Sequence, residues 1–551
     1  GVMVTGGSQV LSGNSSFSGT LGISEGATVR IGDGGSAGSI TGDLNNWGML
    51  VFDRSDALTY GGTITGGKGT LGITGGGTLT LTGANSYNAN TIIDQATLMI
   101  GNGGTGGRLG YGDTIFAGTS TLVFNRSNSY AYRGALIGDG TLRQIGSGTT
   151  ILAGDLTRFT GNTEVSGGTL QLESLPGGDM TVANTATIDF ALLKDAVYQG
   201  AVTGNGQLLK STNSVLTLSG DNNGFTGQTK VNAGTLVITG SFGGDYSVGN
   251  GAVLIADGNM KGGLTVTAGG LLGGTGVLGD LTIETGGVHA PGHSPGTQTI
   301  VGDYINHGTL LVDVTPDVSD RLVVTGGVDI SGATLSLLLS PATAESWNPL
   351  NGPYTLIANQ GSDAVLGRFA SVSKNLVFLN ETLDYAGGDG NDVTLQLKRN
   401  DVGFDDVAAT RNQRSTARAI ASLPSGNAVW NTIALQPDDQ SARAAFDALS
   451  GEIHASAKSG LINDSHILRD AINDRLRAAF ATAEVKTSSA SIANLAAWVQ
   501  ALGSWGRFNG NDNAAAFDTS TGGFVTGLDT QLGDTSRLGL VAGYSHLSMH
   551  A

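Results

Sequence analysis

Ser294 stands in Gly292-His293-Ser294-Pro295-Gly296, a run that fits the G-x-S-x-G pattern of a serine hydrolase elbow. Such an elbow needs the backbone N–H of the next residue for its oxyanion hole, and needs a helix after it. Here the next residue is Pro295, which has no N–H, and Thr297–Val301 reads as a strand. Pro291 and Pro295 bracket the serine and suit a rigid corner, so the expectation is a turn and no nucleophile. His289 and His293 are four apart, but they sit in a Pro/Gly turn and not on a helix face, which leaves a zincin-like site unsupported. His454 and His466 fall on an expected helix and read as solvated. The stretch Gly387–Leu395, "GGDGNDVTL", nearly fits the calcium β-roll nonapeptide. That site takes ligands from stacked copies, only one copy is visible, and Thr394 stands where a large apolar residue belongs. A Gly-rich hairpin turn is the expectation. Arg126, Arg133, Arg143 and Arg158 read as a solvated face. The sequence thus offers no catalytic residue, metal site or cofactor site.

The elements around these residues are short strands. Of 551 residues, 91 are Gly and 13% are charged, while Val, Ile, Leu and Thr stay plentiful. This composition suits strands joined by tight turns and argues against disorder. A net charge of −17 and a pI near 4.7 argue against nucleic acid as a partner. There is no cysteine, no run of 18 apolar residues and no visible signal peptide. Helical membrane proteins are excluded, and β-barrels stay open.

Residues 1–290 contain a repeat. Gly67-Lys68-Gly69 leads to "LTLTGANSYNANTIIDQATLMI" (Leu79–Ile100), Gly138-Asp139-Gly140 to "TILAGDLTRFTGNTEVSGGTLQL", and Gly204-Asn205-Gly206 to "LTLSGDNNGFTGQTKVNAGTLVI". A fourth copy opens at Gly274-Thr275-Gly276 and diverges. In the first three, Tyr87, Phe159 and Phe225 precede Leu98, Leu170 and Leu236 at one shared offset. One such unit cannot bury its apolar face alone, but stacked coils can. The fold expected is mainly β: a right-handed parallel β-helix (solenoid), with a propeller as the structural alternative. Residues 291–400 continue as strands without the repeat. From Asp401 glycine becomes sparse. Leu461, Ile462, Leu468, Ala471, Ile472 and Leu476 recur at helical spacing, with Arg469, Asp470, Asp474, Arg475 and Arg477 on the other face. From about 491 the period becomes two. Phe524, Leu528 and Leu532 alternate with Val525, Asp529 and Gln531, as in a membrane barrel or in soluble antiparallel strands.

Taken together, these motifs resemble the type V autotransporters, the self-secreting surface proteins of Gram-negative bacteria. The repeats at 67–100, 138–172 and 204–238 are similar to the passenger-associated transport repeat. "APGHSPGTQTIVGDYINHGTLLVDV" and the strands from there to Leu397 resemble the junction before the translocator. "TRNQRSTARAIASL" and "ALSGEIHASAKSGLINDSHILRDAINDRLR" resemble the linker into the barrel, and "WVQALGSWG", "GGFVTGLDTQL" and "RLGLVAGYSHLSM" resemble its first strands. The resemblance implies a passenger stem at 1–290, a junction region at 291–400, an α-helical linker at 401–490 and the first strands of an incomplete antiparallel β-barrel at 491–551. It also implies export through the outer membrane, help from periplasmic chaperones and the barrel-assembly machinery, and contacts with host surfaces or sister cells. Adhesion or aggregation is the function expected, without enzyme activity; the alternatives are the stem of an enzymatic passenger, with a protease or esterase domain upstream, and a soluble β-helix polysaccharide lyase or hydrolase. Three strands leave backbone groups that hydrocarbon cannot satisfy, so the chain is expected to be a fragment.

Overall fold

The computed structural model describes residues 1–315, 318–339, 352–480, 488–492, 495–511, 516–532 and 536–550. The chain forms two compact units. The first comprises Gly1–Leu338, Pro353–Lys374 and Leu383–Leu395, and the second Leu339–Gly352, Asn375–Thr382 and Gln396–Ala551.

The first unit is a parallel β-helix. Its strands from Val2–Val4 to Ser371–Lys374 pair in parallel with strands of neighbouring coils, and Tyr354–Asn359 also pairs antiparallel with Asp392–Arg399. Alternation in sequence produces the core directly. In "TLTL" (Thr78–Leu81), Leu79 and Leu81 point inward and the threonines outward. The register then stacks like on like: Leu79, Leu98, Leu122 and Leu142 are successive ladder partners, all buried. A second column runs Leu216, Leu236, Leu254, Leu272, His289, Leu310. The three repeat aromatics are buried in the same interior, Phe159 against Phe116 with ring centroids 5.0 Å apart and Phe225 against Phe242 at 5.6 Å.

The glycine spacing of the repeat has a geometric cause. Gly138 and Gly204 adopt φ of +116° and +102°, open to glycine. Each bridges the aromatic of the next coil, Phe159 and Phe225 respectively. Two residues after each aromatic comes Gly161 or Gly227. A Cβ there would stand 1.7 Å from the Gly140 carbonyl oxygen or 1.8 Å from that of Gly206. The motif therefore records two coils in backbone contact at one corner. In the first copy the left-handed residue is Gly66, one place before the Gly67-Lys68-Gly69 read from the sequence.

The columns cross residue 290 without a break, so the loss of the repeat there marks no structural boundary. What persists is the inward alternation, for example in Thr309–Val314 with Leu310, Val312 and Val314 buried. The unit ends on an antiparallel strand, with Tyr354 opposite Leu395.

In the second unit, the described residues of the expected linker include four helices. Helix α1 (Arg411–Ala421) opens on a Thr410/Gln413 capping box. Helix α2 (Ala428–Ala434) is capped by Asn427, and α3 (Asp439–Ser450) by Asp438, with Gly451 at φ +69° ending it. These three have their own core of Ala417, Ile420, Trp430, Ile433, Ala442 and Phe446, with Phe378 and Phe404. The Arg399 guanidinium covers the Phe378 and Phe404 rings at 5.1 and 4.7 Å. Helix α4 (Glu452–Phe480) lies against an antiparallel sheet of Ser488–Ile492, Leu495–Phe508, Phe517–Leu532 and Ser536–His550. The last ten positions of the expected linker fall partly outside the described residues. No helix among the described residues is long and apolar enough to cross a membrane.

Candidate functional site

The corner around Ser294 is the place where the sequence concentrates chemical groups. Ser294 donates its Oγ hydrogen bond to the Asp313 carboxylate. His293 Nε2 meets Asp257 Oδ1 at 2.7 Å. Serine and histidine are thus each engaged by a different carboxylate, and no serine–histidine pair forms. Asp320 closes the corner, accepting the Gly296 N–H at 2.7 Å and the Asp313 N–H at 2.8 Å. Gly292 at φ +93° and Ser294 at φ +53° give the turn its reversal. The residue whose N–H an oxyanion hole would need is Pro295, which has none.

His289 is not in the turn, where its Pro/Gly surroundings place it on sequence. It lies on the strand Val288–Pro291, faces the interior, and is fully buried in the leucine column. Proline is tolerated at the end of that strand, and the alternation carries on through it. The imidazole is satisfied on both sides: Nε2 to Gln298 Oε1 at 2.7 Å and Nδ1 to the Tyr304 hydroxyl at 3.1 Å. Asn306 donates from Nδ2 to the same hydroxyl at 2.8 Å. With Nε2 protonated and Nδ1 accepting from Tyr304, the neutral ring needs no further partner.

These groups give a pH dependence of opposite signs. Burial pushes His289 down to about 4, against its hydrogen bond to Gln298. Burial pushes Asp320 up to about 6, reinforced by Asp313 and opposed by its two N–H donors. A depressed histidine contributes stability that is present above its ordinary value near 6.5 and is lost as pH falls toward about 4. A raised carboxyl contributes stability that is present below 3.8 and is lost as pH rises through about 6. Each amounts to about 3 kcal/mol, and the two offset one another. Asp320→Asn removes the second, so coil 281–306 in this variant is expected to lose about 3 kcal/mol of protection between pH 6.5 and 4. Amide hydrogen exchange at several pH values, corrected for intrinsic rates, measures this; a flat profile in the variant would remove the histidine from the account.

Arg126, expected on a solvated face, is buried. Its Nη2 donates to the Thr105 carbonyl and, at 3.0 Å, to Asn128 Oδ1, and its guanidinium lies over Tyr130 at 4.9 Å. Arg54 does the same one repeat earlier, donating to the Gly38 and Ser36 carbonyls and to Asp56. Each arginine clamps a glycine loop from the preceding coil. The paired segments "IGDGGSAG" with "VFDRSD", and "IGNGGTGG" with "VFNRSN", are a second internal repeat that the aromatic-to-leucine offset hides. Arg143 is exposed and paired with Glu164 at 2.9 Å.

The near-nonapeptide at 387–395 is a hairpin turn with Gly388 and Gly390 at φ +60° and +120°. Asp392 accepts the Asn359 N–H at 2.9 Å. Among the described residues no cluster of three histidines or carboxylates could hold a metal ion.

In the sheet after α4, the period-two reading gives two faces. Phe524, Leu528, Leu532, Leu540 and Tyr544 are exposed, while Thr521, Val525 and Asp529 are buried. Trp498 packs inward with Val525 and Ala471 of α4, whereas Trp505 is exposed. An apolar outer face with a polar inner one is the pattern of a membrane barrel, not of soluble strands. Arg475, on the charged face that the spacing predicts for α4, turns to the sheet: its Nε and Nη2 reach the Asp529 carboxylate at 3.0 and 3.3 Å. Arg537 joins Asp529 at 2.8 Å and donates to the Ala479 carbonyl at 3.1 Å, closing the helix end. Leu461, Ile462 and Leu476 stay exposed among the described residues. The packed face of the helix therefore combines Ala471 of the predicted apolar face with Arg475 of the charged one, while Asp474 and Arg477 stay exposed.

Residues 497–551 match the family model of the autotransporter beta-domain, and residues 6–31, 74–100, 142–172 and 213–238 match that of the passenger-associated transport repeat. The chain is a type V autotransporter. Its repeat begins one copy earlier than the sequence reading placed it, and the divergent copy near Gly274 is not among the matched segments. Two proteins of Serratia marcescens named extracellular serine protease are 33% and 30% identical to this autotransporter, each over 60% of its chain. The chain spans 36% of the length of each. The adhesin BmaC autotransporter of Brucella suis is 31% identical over 34% of this chain and 7% of its own length. The autotransporter has a β-helical passenger, and its place is the outer membrane and surface of a Gram-negative bacterium.

Proposed function

We propose that the chain is the stem and the start of the translocator of a surface autotransporter acting in adhesion or cell aggregation, and that it carries no catalytic centre of its own. The observation that supports this reading is the Ser294 corner, where serine and histidine are held apart by Asp313 and Asp257. In this reading the coils to about residue 400 are displayed outside the cell, with 291–400 as the junction. Helix α4 threads the barrel, and the barrel-assembly machinery and periplasmic chaperones act during export. The displayed coils contact host surfaces or sister cells through many weak contacts along the solenoid. The test is a pair of strains differing only in the full gene, with surface display verified. Loss of the gene is expected to lower settling or host-cell attachment, and no change in either would reject the reading.

The second reading is the stem of an enzymatic passenger. It is favoured by the name that both Serratia relatives carry and by the share of their length that lies outside the match. Ser294→Ala separates the site from the whole. Casein or ester hydrolysis by the full protein is expected to stay within about twofold of the native value, since the variant removes no group that touches a substrate. A drop of a hundredfold or more would make Ser294 a nucleophile.

A further inference from the structure

Three successive turns of the solenoid, 153–157, 173–177 and 192–197, line a cleft of about 610 Å³ at one corner, the first two tied by Ser174 Oγ, which accepts the Leu156 N–H at 3.0 Å and donates to the Gly154 carbonyl at 2.9 Å. Leu193 N–H donates to the Glu173 carbonyl at 3.4 Å on one side of it. The Tyr198 hydroxyl donates to the Gly178 carbonyl at 2.6 Å on the other. Between these two ties the coils are separated. The walls are apolar, from Leu175, Pro176, Leu193 and Val197, and Leu193 and Val197 are 73% and 58% exposed. Three carboxylates, Asp155, Glu173 and Asp195, stand at the cleft against one lysine, Lys194.

One wall is a sheet edge. The strand Ala196–Tyr198 is the terminal member of a nine-stranded parallel sheet and pairs on one side only, with Val215–Leu218. The Tyr198 carbonyl accepts from Ser219 N–H on that side. Backbone groups alternate along a strand, so the N–H and C=O of Val197 point to the opposite side, toward the cleft. Neither has a partner among the described residues. An open edge of this kind is a template for another strand.

We propose that this cleft binds an extended peptide segment in which basic and apolar residues alternate, added as a further strand to the free edge of Ala196–Tyr198. The period of two sends one set of side chains to Leu175 and Leu193 and the other to the carboxylates. The proposal does not depend on whether the stem carries an adhesin or an enzyme.

The test is fluorescence anisotropy with fluorescein-labelled Lys-Val-Lys-Val-Lys-Val titrated against the full chain in detergent. Saturable binding is expected. It should fall at least about tenfold when alternate peptide nitrogens are methylated, and again with Val197→Pro, because both remove strand hydrogen bonds. Proline is tolerated at a sheet edge, and circular dichroism checks that the variant folds. The methylated peptide needs no variant, so it decides the matter if Val197→Pro does not fold. A Glu-Val counterpart is expected not to bind. Absence of saturable binding, or equal affinity of the methylated peptide, would overturn the proposal. So would displacement by spermidine with methylation without effect, which would make the cleft a simple cation trap. Dimerisation through this edge, abolished by Val197→Pro and accompanied by no peptide binding, would overturn it in favour of a second copy of the chain.

Discussion

Asp529→Ala is expected to release α4 from the strands it lies against. Asp529 is 7% exposed and carries two guanidinium groups, Arg475 and Arg537. Removing the carboxylate leaves two cations facing each other in a site that water scarcely reaches. Breaking a buried pair in this way costs about 3–5 kcal/mol, because the partner charge stays desolvated. The loss falls on the C-terminal half of α4, since Arg475 tethers it and Arg537 closes its last turn through the Ala479 carbonyl. Hydrogen exchange over residues 465–480 in detergent is expected to speed up by about a hundredfold or more, which corresponds to about 3 kcal/mol of lost protection. Replacing all three by apolar residues of similar size, Arg475→Met with Asp529→Leu and Arg537→Met, should restore most of it, because no charge is then left buried. Unchanged exchange in Asp529→Ala would show that apolar contact at Ala471, Trp498 and Val525 holds the helix without the ion pairs.

The second large effect is expected from Phe225→Ala. Phe225 is fully buried, stacks edge-on with Phe242 at 5.6 Å, and bridges Gly204 of the preceding coil. Truncating such a ring costs about 3–5 kcal/mol, and the glycine corner beneath it cannot move in to fill the space. Gly227 already lies against the Gly206 carbonyl, and its own missing Cβ is what allows the two coils to meet. Stability in a solenoid is a sum of coil and neighbour contributions, so the damage should stay within the adjoining coils. Limited proteolysis with mass spectrometry of the fragments is expected to find new cuts between about 200 and 245. Cuts spread evenly along the stem, or none, would contradict a locally additive column.

Phe225 and its coil were legible because repetition multiplies a weak signal. An aromatic, a leucine at a fixed offset and paired glycines mean little once, but three copies at one spacing fix the inward face. The period of two in Phe517–Leu532 was legible for the same reason, with Phe524 and Leu528 outward and Val525 and Asp529 inward. Asp529 and Arg475 were not joined, because nothing local connects a helix position to a strand position 54 residues on. A helical wheel sorts side chains by polarity and assumes that the apolar side is the packed one. Against this sheet the assumption holds for Ala471, which is buried, and fails for Arg475, which is enclosed, and for Leu461, which is exposed. His289 was misplaced by its neighbours in sequence: Pro291 and Gly292 signal a turn, yet the ladder from Leu272 continues through it to Leu310. Arg54 and Arg126 were hidden as a class, since a buried arginine reads as a surface one until the loop that it clamps is seen. The open edge at Ala196–Tyr198 has no sequence signal, because which strand lies beside another is set by the stacking of the coils.

The glycine corners also govern how this molecule can change over generations. Gly161 must lie over Gly140, and Gly227 over Gly206, whatever else the coils contain. Loss of one residue inside a strand turns an aliphatic side chain out and a threonine in along that rung. Loss or duplication of a complete coil leaves every remaining rung facing as before. The stem can therefore be inherited longer or shorter only in whole rungs, and its reach from the cell is a quantity that recombination adjusts in fixed steps.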